Sequence, residues 1–276
     1  MAAEPALPQA GGTAGARSGT GYTGKGRTVL SVYFENTYPV DSRDVDPFDQ
    51  CRPSALLGIL QEAATSAAVE LHVSREEMIA RYNVFWMLSR IWYRLDRPLH
   101  WSEPVTVRTW HRGGRGAAMY RDFDLFVRGE RVGEAVSSWV LADLDTHKLF
   151  RLNNIEEFAG SDGGELCKEK RLTGLRMPEG LTLAEHRTLH YSDADINGHV
   201  NNVRYADFAC DALHLERLDG GQYVSQLQLC YLAECRPGEA IDLFTGQAEE
   251  RKLVQGMGEE GKIRFDAALT LANLQE

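Results

Sequence analysis

Apolar residues along this chain follow two spacings, one typical of strands and one typical of helices. The two spacings occur in the same order twice. From position 28, a run rich in β-branched and aromatic residues predicts a strand, and apolar residues spaced by three and four over 54–73 predict a long helix. Short alternating runs separated by turn residues then predict an antiparallel sheet. From position 183 the same succession returns. We therefore predict an α+β chain of two repeated units, each a long helix wrapped by an antiparallel sheet.

The repeat suggests a division of the chain. We expect a disordered leader over 1–27, a first unit over 28–151, a connector over 152–182 and a second unit over 183–276. Within the first unit, Ser54 is the expected helix cap. The buried face of that helix is predicted to consist of Leu56, Leu60, Ala63, Ala67 and Leu71.

Charge and composition exclude several classes of protein. Thirty Lys and Arg residues against 40 Asp and Glu residues give a formal net charge of -10, which argues against a nucleic-acid binder. No stretch approaches the roughly 20 consecutive apolar residues of a membrane span. The cysteines are odd in number and form no CxxC pair, so we predict no metal site, no disulfide framework and a reducing cytosol. They are Cys51, Cys167, Cys210, Cys230 and Cys235.

The loop before the second helix concentrates the polar chemistry. Residues 193–202 read DADINGHVNN and place carboxylates, amides and one imidazole directly before a predicted helix over 200–218. Such residues often serve only as turn and cap formers. An offset of 149 aligns this loop with its counterpart in the first unit, placing Asp46 opposite Asp195, Phe48 opposite Asn197 and Gln50 opposite His199. The first copy thus keeps an aspartate but lacks the amide and the imidazole.

DADINGHVNNVRY, followed some thirty residues later by CYLAEC, resembles the acyl-acyl carrier protein (ACP) thioesterases. Further matches in the first half are LQEAA, RPLHWSEPVTVRTWHRGGRGAAMYRDFDLF and SSWVLADLDTHKLFRL. The resemblance covers roughly residues 30–274. It implies two fused hot-dog domains, a bacterial-type cytoplasmic enzyme that needs no cofactor, and an acyl carrier protein as the partner that carries the substrate. The chain is expected to be a monomer or a homodimer.

The resemblance also implies catalytic roles for Asp195, Asn197, His199 and Glu234. A thioester hydrolase must polarise the carbonyl, deliver water and protonate the leaving thiolate. Asp195 is expected to orient Asn197 or His199, and Glu234 to activate water. Because amides at a helix N-terminus point outward, the backbone N–H groups of Gly198, His199 and Val200 are the expected donors to the oxyanion.

Cys235 is an alternative nucleophile, with His199 as its base and an acyl-enzyme intermediate. Alternation along a strand turns Glu234 and Cys235 to opposite faces, and Cys235 falls on the more apolar one. A bulge near Pro237 would allow either side chain to turn inward. We prefer Glu234 activating water, and the thiolate route stays open.

Two binding regions are expected in the first half. The acyl chain needs an apolar tunnel between helix and sheet, since each buried methylene contributes about 0.8 kcal/mol. The candidate walls are Leu57, Leu60, Ala64, Phe85, Trp86, Met87, Met119 and Trp139. An acidic carrier needs a basic patch. The candidates are Arg108, Arg112, Arg115 and Arg121, with Lys168, Lys170 and Arg171 as a second cluster.

Three other functions remain open at this point. A coenzyme A thioesterase or a hydratase shares the fold, but a hydratase pairs an acid with a histidine and does not require Glu234. A non-catalytic acyl-ligand sensor would need no aligned acid, amide and imidazole.

Overall fold

The computed structural model describes residues 33–115, 117–151, 163, 166, 168, 170–218 and 220–274. The predicted leader, 1–27, lies outside the described residues. None of the helices in these ranges combines the length and the apolar character needed to cross a membrane.

Three helices and eleven strands make up the described fold. The helices are α1 (Pro53–Glu70), α2 (Arg75–Tyr82) and α3 (Arg204–Ala212). The strands are β1 (Phe34–Pro39), β2 (Val84–Leu95), β3 (Pro104–Arg115), β4 (Ala118–Val127), β5 (Glu130–Asp143), β6 (Leu149–Phe150), β7 (Thr182–Thr188), β8 (Gln222–Tyr231), β9 (Ala240–Ala248), β10 (Arg251–Gly258) and β11 (Ile263–Asn273).

The strands form one antiparallel sheet whose two halves have equivalent strand orders. The order is β1-β3-β4-β5-β2-β8-β11-β10-β9-β7, with β6 paired to β5. From each outer edge to the centre, the strands of the two halves follow the same order of connection. The halves join where β2 pairs with β8, from Arg90 opposite Cys230 to Arg94 opposite Gln226. The predicted α+β architecture of two similar units is confirmed. The boundaries assigned to the units and the connector stay a prediction.

The first helix forms as its pattern predicts, apart from its two ends. Leu56, Leu60, Ala63 and Ala67 are all buried, whereas Leu71 lies just beyond the last helical residue and is only half-buried, so that part of the prediction is wrong. The prediction for Ser54 is wrong, because Arg52 is the N-cap and makes no side-chain cap bond, while Pro53 begins the helix. Proline favours that first position because it has no N–H to satisfy.

The second half departs further from the pattern. Its helix begins at Arg204 and ends at Ala212, so it is much shorter than the predicted 200–218. The preceding residues form a turn in which the Asn201 side chain accepts the N–H of Val203. The sequence pattern also missed α2, although Ser74 and Glu77 make a capping box at its start.

Backbone hydrogen bonds reproduce the alignment of the two polar loops. Asp195 N–H donates to His199 O at 2.8 Å, and Asp46 N–H donates to Gln50 O at 2.8 Å. Val200 N–H donates to Cys235 O, just as the N–H of Cys51 donates to Leu99 O. The offset of 149 therefore aligns equivalent residues in the loops. The second pair of bonds adds that Pro98 is the counterpart of Glu234.

Candidate active site

The loop that carries Asp195 folds around that carboxylate. One oxygen of Asp195 accepts the backbone N–H of Asn197 at 2.8 Å, and the other accepts the Asn197 side-chain amide at 3.4 Å. An isolated bridge between Ala194 and Val200 closes the turn, in which Gly198 has a φ of +75° that disfavours other residues. Asp195 therefore orients Asn197, the first of the two partners expected from the sequence.

Glu234 reaches the same loop from a separate segment. Its Oε2 lies 3.4 Å from Nε2 of His199, and the two side chains are 44% and 25% exposed. Beyond the end of β8, the N–H groups of Leu232 and Ala233 both donate to Arg264 O, and the Arg264 guanidinium donates to Glu234 O. These bonds hold the carboxylate toward the imidazole while leaving both groups open to a substrate.

The backbone donors differ from those expected. Gly198 N–H donates to Asp195 O at 3.0 Å, and Val200 N–H donates to Cys235 O at 2.9 Å, so both predictions are wrong. The helix N-terminus is also four residues further on, at Arg204. Within the described part of the chain, no acceptor pairs with His199 N–H. That amide is the remaining backbone donor for an oxyanion.

Cys235 points away from the site. It is fully buried in the main core, whereas Glu234 lines the cleft. Burial raises the pKa of the Cys235 thiol, an effect that its hydrogen bond with Tyr205 only partly offsets. A thiol held protonated is a poor nucleophile, since the thiolate is the reactive form. The geometry therefore favours Glu234 over Cys235.

A cleft of about 590 Å³ opens directly onto these groups. Asp195, Asn197, His199 and Glu234 line it together. Its opposite wall comes from the first half and includes Phe85, Trp86, Met87, Leu88 and Trp139. Residues from both halves thus enclose one site, and four of the expected acyl-wall residues border it.

A small cavity of about 10 Å³ lies deeper, between α1 and the sheet. Leu57 and Leu60 line it, and Trp139 borders both this cavity and the cleft. The Trp139 indole N–H donates to the hydroxyl of the buried Ser137 at 2.7 Å. Trp139 is therefore one of four residues, with Leu88, Asn202 and Tyr231, that border both the cleft and the inner cavity.

Two expected wall residues border neither space. Ala64 is packed in the main core, 6% exposed, and Met119 lies in a separate cluster with Val73, Met78 and Leu141. Both predictions are therefore wrong in this structure, because apolar residues of the same helix or strand also serve the core.

The first half has its own cavity at the equivalent position. It measures about 530 Å³ and is lined by Asp46, Phe48, Gln50 and Pro98, the counterparts of the four polar residues of the site. Gln50 is buried and its amide donates to Gln222 O at 3.0 Å. Because glutamine and proline occupy the positions of His199 and Glu234, this loop has no counterpart of the histidine–glutamate pair.

The basic patch predicted on the first half is largely absent from the surface. Arg121 is 3% exposed and its guanidinium donates to Thr109 Oγ1. Arg112 is paired with the buried Asp122, and its side chain is 11% exposed. Both predictions are wrong, because Arg121 falls on the inward-facing side of β4 and Arg112 is already paired with Asp122.

The remaining candidates of that patch are also mostly engaged. Arg108 pairs with Glu35 at 2.8 Å, and the side chain of Arg115 lies outside the described part of the structure. Lys168 pairs with acidic residues of the sheet, and the Lys170 ammonium lies 3.3 Å from the centre of the Trp92 ring. Arg171 is exposed. The two lysines therefore hold the connector on the sheet.

Sequence reasoning missed several residues of the cleft. Tyr205 and Tyr231 both line it, and burial raises the pKa of each hydroxyl. Tyr231 donates to Asn202 O at 3.0 Å, which fixes the loop beyond the imidazole. Arg75 and His147 complete the mouth. Among the described residues, no three His, Cys, Asp or Glu side chains come together as metal ligands.

Two family models match this chain. The acyl-ACP thioesterase N-terminal domain matches residues 31–158, and the acyl-ACP thioesterase C-terminal domain matches residues 182–270. A palmitoyl-acyl carrier protein thioesterase of Gossypium hirsutum, named as chloroplastic, is 25% identical over 229 residues, which are 78% of this chain and 55% of the relative. The chain thus spans about half the length of this curated relative.

Solved structures support the fold. An acyl-ACP thioesterase from Bacteroides thetaiotaomicron matches with a TM-score of 0.73 at 22% identity, covering 87% of this chain and 98% of the other. A 12:0-ACP thioesterase from Umbellularia californica matches with a TM-score of 0.76 at 18% identity, covering 90% and 100%. The predicted tandem hot-dog fold is confirmed.

Proposed function

Because this chain belongs to the acyl-ACP thioesterase family, we propose that it hydrolyses fatty acyl thioesters of an acyl carrier protein and releases the free fatty acid. The observation that carries the proposal is the meeting of His199 and Glu234, 3.4 Å apart, at the floor of a cleft shared by both halves. A sensor of acyl ligands would have no use for this pair.

In the proposed reaction the thioester carbonyl lies beside Asn197 and His199. The Asn197 amide, oriented by Asp195, and the backbone N–H of His199, which has no partner among the described residues, donate to the carbonyl oxygen as it becomes negative. Donors that are already fixed need no reorganisation as charge develops, so they stabilise the transition state more than the ground state.

Glu234 supplies the base. Its carboxylate takes a proton from a water molecule, the hydroxide oxygen bonds to the carbonyl carbon, and the carbon–sulfur bond then breaks. The imidazole of His199, in contact with Glu234, passes the proton to the departing sulfur. One water is consumed, and a fatty acid and a pantetheine thiol result.

The acyl chain lies against the wall of the cleft that the first half provides. Phe85, Met87 and Trp139 present apolar surface there. Removing each methylene from water contributes about 0.8 kcal/mol, so the length of this wall selects the chains that bind best. Because the first copy has Gln50 and Pro98 in place of His199 and Glu234, we place the hydrolytic site in the second copy alone.

The test is release of free thiol and fatty acid when the purified protein meets acyl thioesters of graded chain length. Carrier-protein, coenzyme A and pantetheine thioesters are compared at equal concentration. We expect turnover with preference for the carrier thioester. A preference for the coenzyme A thioester would overturn the choice of carrier. Absence of turnover with all three substrates would overturn the hydrolase proposal.

A further inference from the structure

Exposed apolar side chains surround the mouth of the cleft. Leu144, Ile196 and Leu232 all line it, and they are 39%, 100% and 52% exposed. Single exposed apolar residues are ordinary on proteins, but several around one opening mark a contact surface. An isoleucine that buries no surface does not stabilise the folded chain. This ring is therefore suited to contact with a second molecule.

Two exposed cations lie close along the chain to residues that line the mouth or are bonded to it. Arg236 follows Glu234 by two positions, and Lys262 lies in the turn between β10 and β11. The turn is attached to the mouth, because the N–H of Leu232 donates to Arg264 O at 2.9 Å. Both cations are exposed, and neither makes an ion pair within the described part of the chain.

Most other cations near the site are already neutralised. Arg264 pairs with Glu239 at 2.9 Å, and Arg204 pairs with Asp193 and Asp207. On a chain with a formal net charge of -10, Arg236 and Lys262 place positive charge near the mouth of the cleft, which attracts an acidic partner, although Glu259 is also exposed in the turn that holds Lys262.

We infer that Leu144, Ile196, Leu232, Arg236 and Lys262 form the docking surface for the acyl carrier protein, which we name the mouth rim. The inference rests on the proposed function and replaces the basic patch expected on the first half. A carrier tethered to the thioester by its pantetheine arm must dock beside the opening. Its acidic surface complements the two cations, and apolar contact with the ring then holds the encounter.

The test reverses both charges, Arg236→Glu with Lys262→Glu. We expect kcat/KM for the acyl carrier thioester to fall roughly 10- to 100-fold at low salt, because charge reversal removes steering and adds repulsion. Hydrolysis of the matching acyl-pantetheine, which carries neither protein nor phosphate, should keep the wild-type rate. Added salt should bring the wild-type kcat/KM toward that of the variant.

A matched control is Arg128→Glu with Arg251→Glu, which changes the net charge equally. Arg128 lies in the β4–β5 turn, at the end of β5 opposite to Trp139, and Arg251 begins β10 at the end opposite to Lys262. Both are exposed, and neither makes an ion pair within the described ranges. This pair should keep the wild-type rate on both substrates.

The outcomes separate the two proposals. Equal loss in the test and control pairs, equal loss on both substrates, or no loss at all would overturn the mouth rim. If the wild-type protein cleaves neither substrate, the hydrolase proposal itself fails. If it cleaves both and the test pair loses only the carrier thioester, both proposals stand.

Discussion

Nε2 of His199 lies 3.4 Å from Oε2 of Glu234, although the two side chains come from separate segments of the second half. The bond from Val200 N–H to Cys235 O, at 2.9 Å, joins those segments one residue beyond each member of the pair. The acid–base pair is therefore positioned by backbone hydrogen bonding, which leaves both side chains free for chemistry.

The first prediction concerns the carboxylate. Glu234→Gln keeps the shape of the side chain but removes the base, so we expect kcat for thiol release to fall on the order of 10²- to 10⁴-fold. The side chain is 44% exposed, so the melting temperature should change little. Glu250→Gln removes an exposed carboxylate in the β9–β10 turn that makes no ion pair within the described residues, and it serves as the control. Full activity of Glu234→Gln would remove it from the mechanism.

The second prediction concerns the buried thiol. The Cys235 thiol is buried away from the cleft, and burial raises its pKa. Cys235→Ala should therefore retain most of the turnover. The variant loses packing in the core, so a modest fall in stability is expected alongside. An inactive but folded Cys235→Ala, together with an acyl group trapped on the wild-type protein and found by mass spectrometry, would establish the thiolate route instead.

These residues illustrate what the sequence predicts. The repeat, the sheet and the opposed directions of Glu234 and Cys235 follow from periodicity, which depends on neighbours along the chain. The oxyanion donors do not, because the partners of Gly198 N–H and Val200 N–H depend on how the loop closes and on which segment packs beside it. The burial of Arg121 does not follow from periodicity either, since its charge predicts exposure while its place on β4 buries it.

The third prediction concerns chain length. Trp139 is the largest of the first-half residues that border both the cleft and the small inner cavity, and its indole N–H donates to Ser137 Oγ at 2.7 Å. Trp139→Ala should open the cleft toward Leu57 and Leu60 and move the preferred substrate to longer chains, by roughly tenfold in relative kcat/KM for every two methylenes accommodated. The measurement is the profile of fatty acid release against acyl length.

Trp86→Ala is the control for that profile. Trp86 also lines the cleft, but its indole donates to Val73 O and it does not border the inner cavity. Its removal should alter overall turnover without moving the preferred length. A Trp139→Ala variant with an unchanged profile would show that the barrier to chain length lies elsewhere.

The fourth prediction compares the two copies of the loop. Gln50 replaces the imidazole in the first half, where its amide donates to Gln222 O. Gln50→Ala leaves that acceptor without its partner, so we expect a loss of about 1–3 kcal/mol in the free energy of unfolding and no change in kcat. His199→Ala should do the reverse. Denaturant unfolding and thiol release measure both, and a loss of kcat in Gln50→Ala at full stability would mean that the first copy takes part in turnover.

The last prediction concerns acid and the connector. Burial alone would raise the pKa of Glu134, but the Lys168 ammonium, 3.1 Å away, together with Arg131 and Arg94, outweighs it and lowers that pKa. A carboxyl with a lower pKa in the folded state stabilises it above the unfolded value of about 4.3 and loses that contribution as pH falls through the folded value. Glu134→Gln should therefore be less stable than wild type near neutral pH, and the difference should shrink in acid. Urea unfolding at several pH values measures it. Glu130→Gln, an exposed residue at the start of β5, should give no such convergence, and a difference that stays constant with pH would mean that Glu134 acts through packing alone.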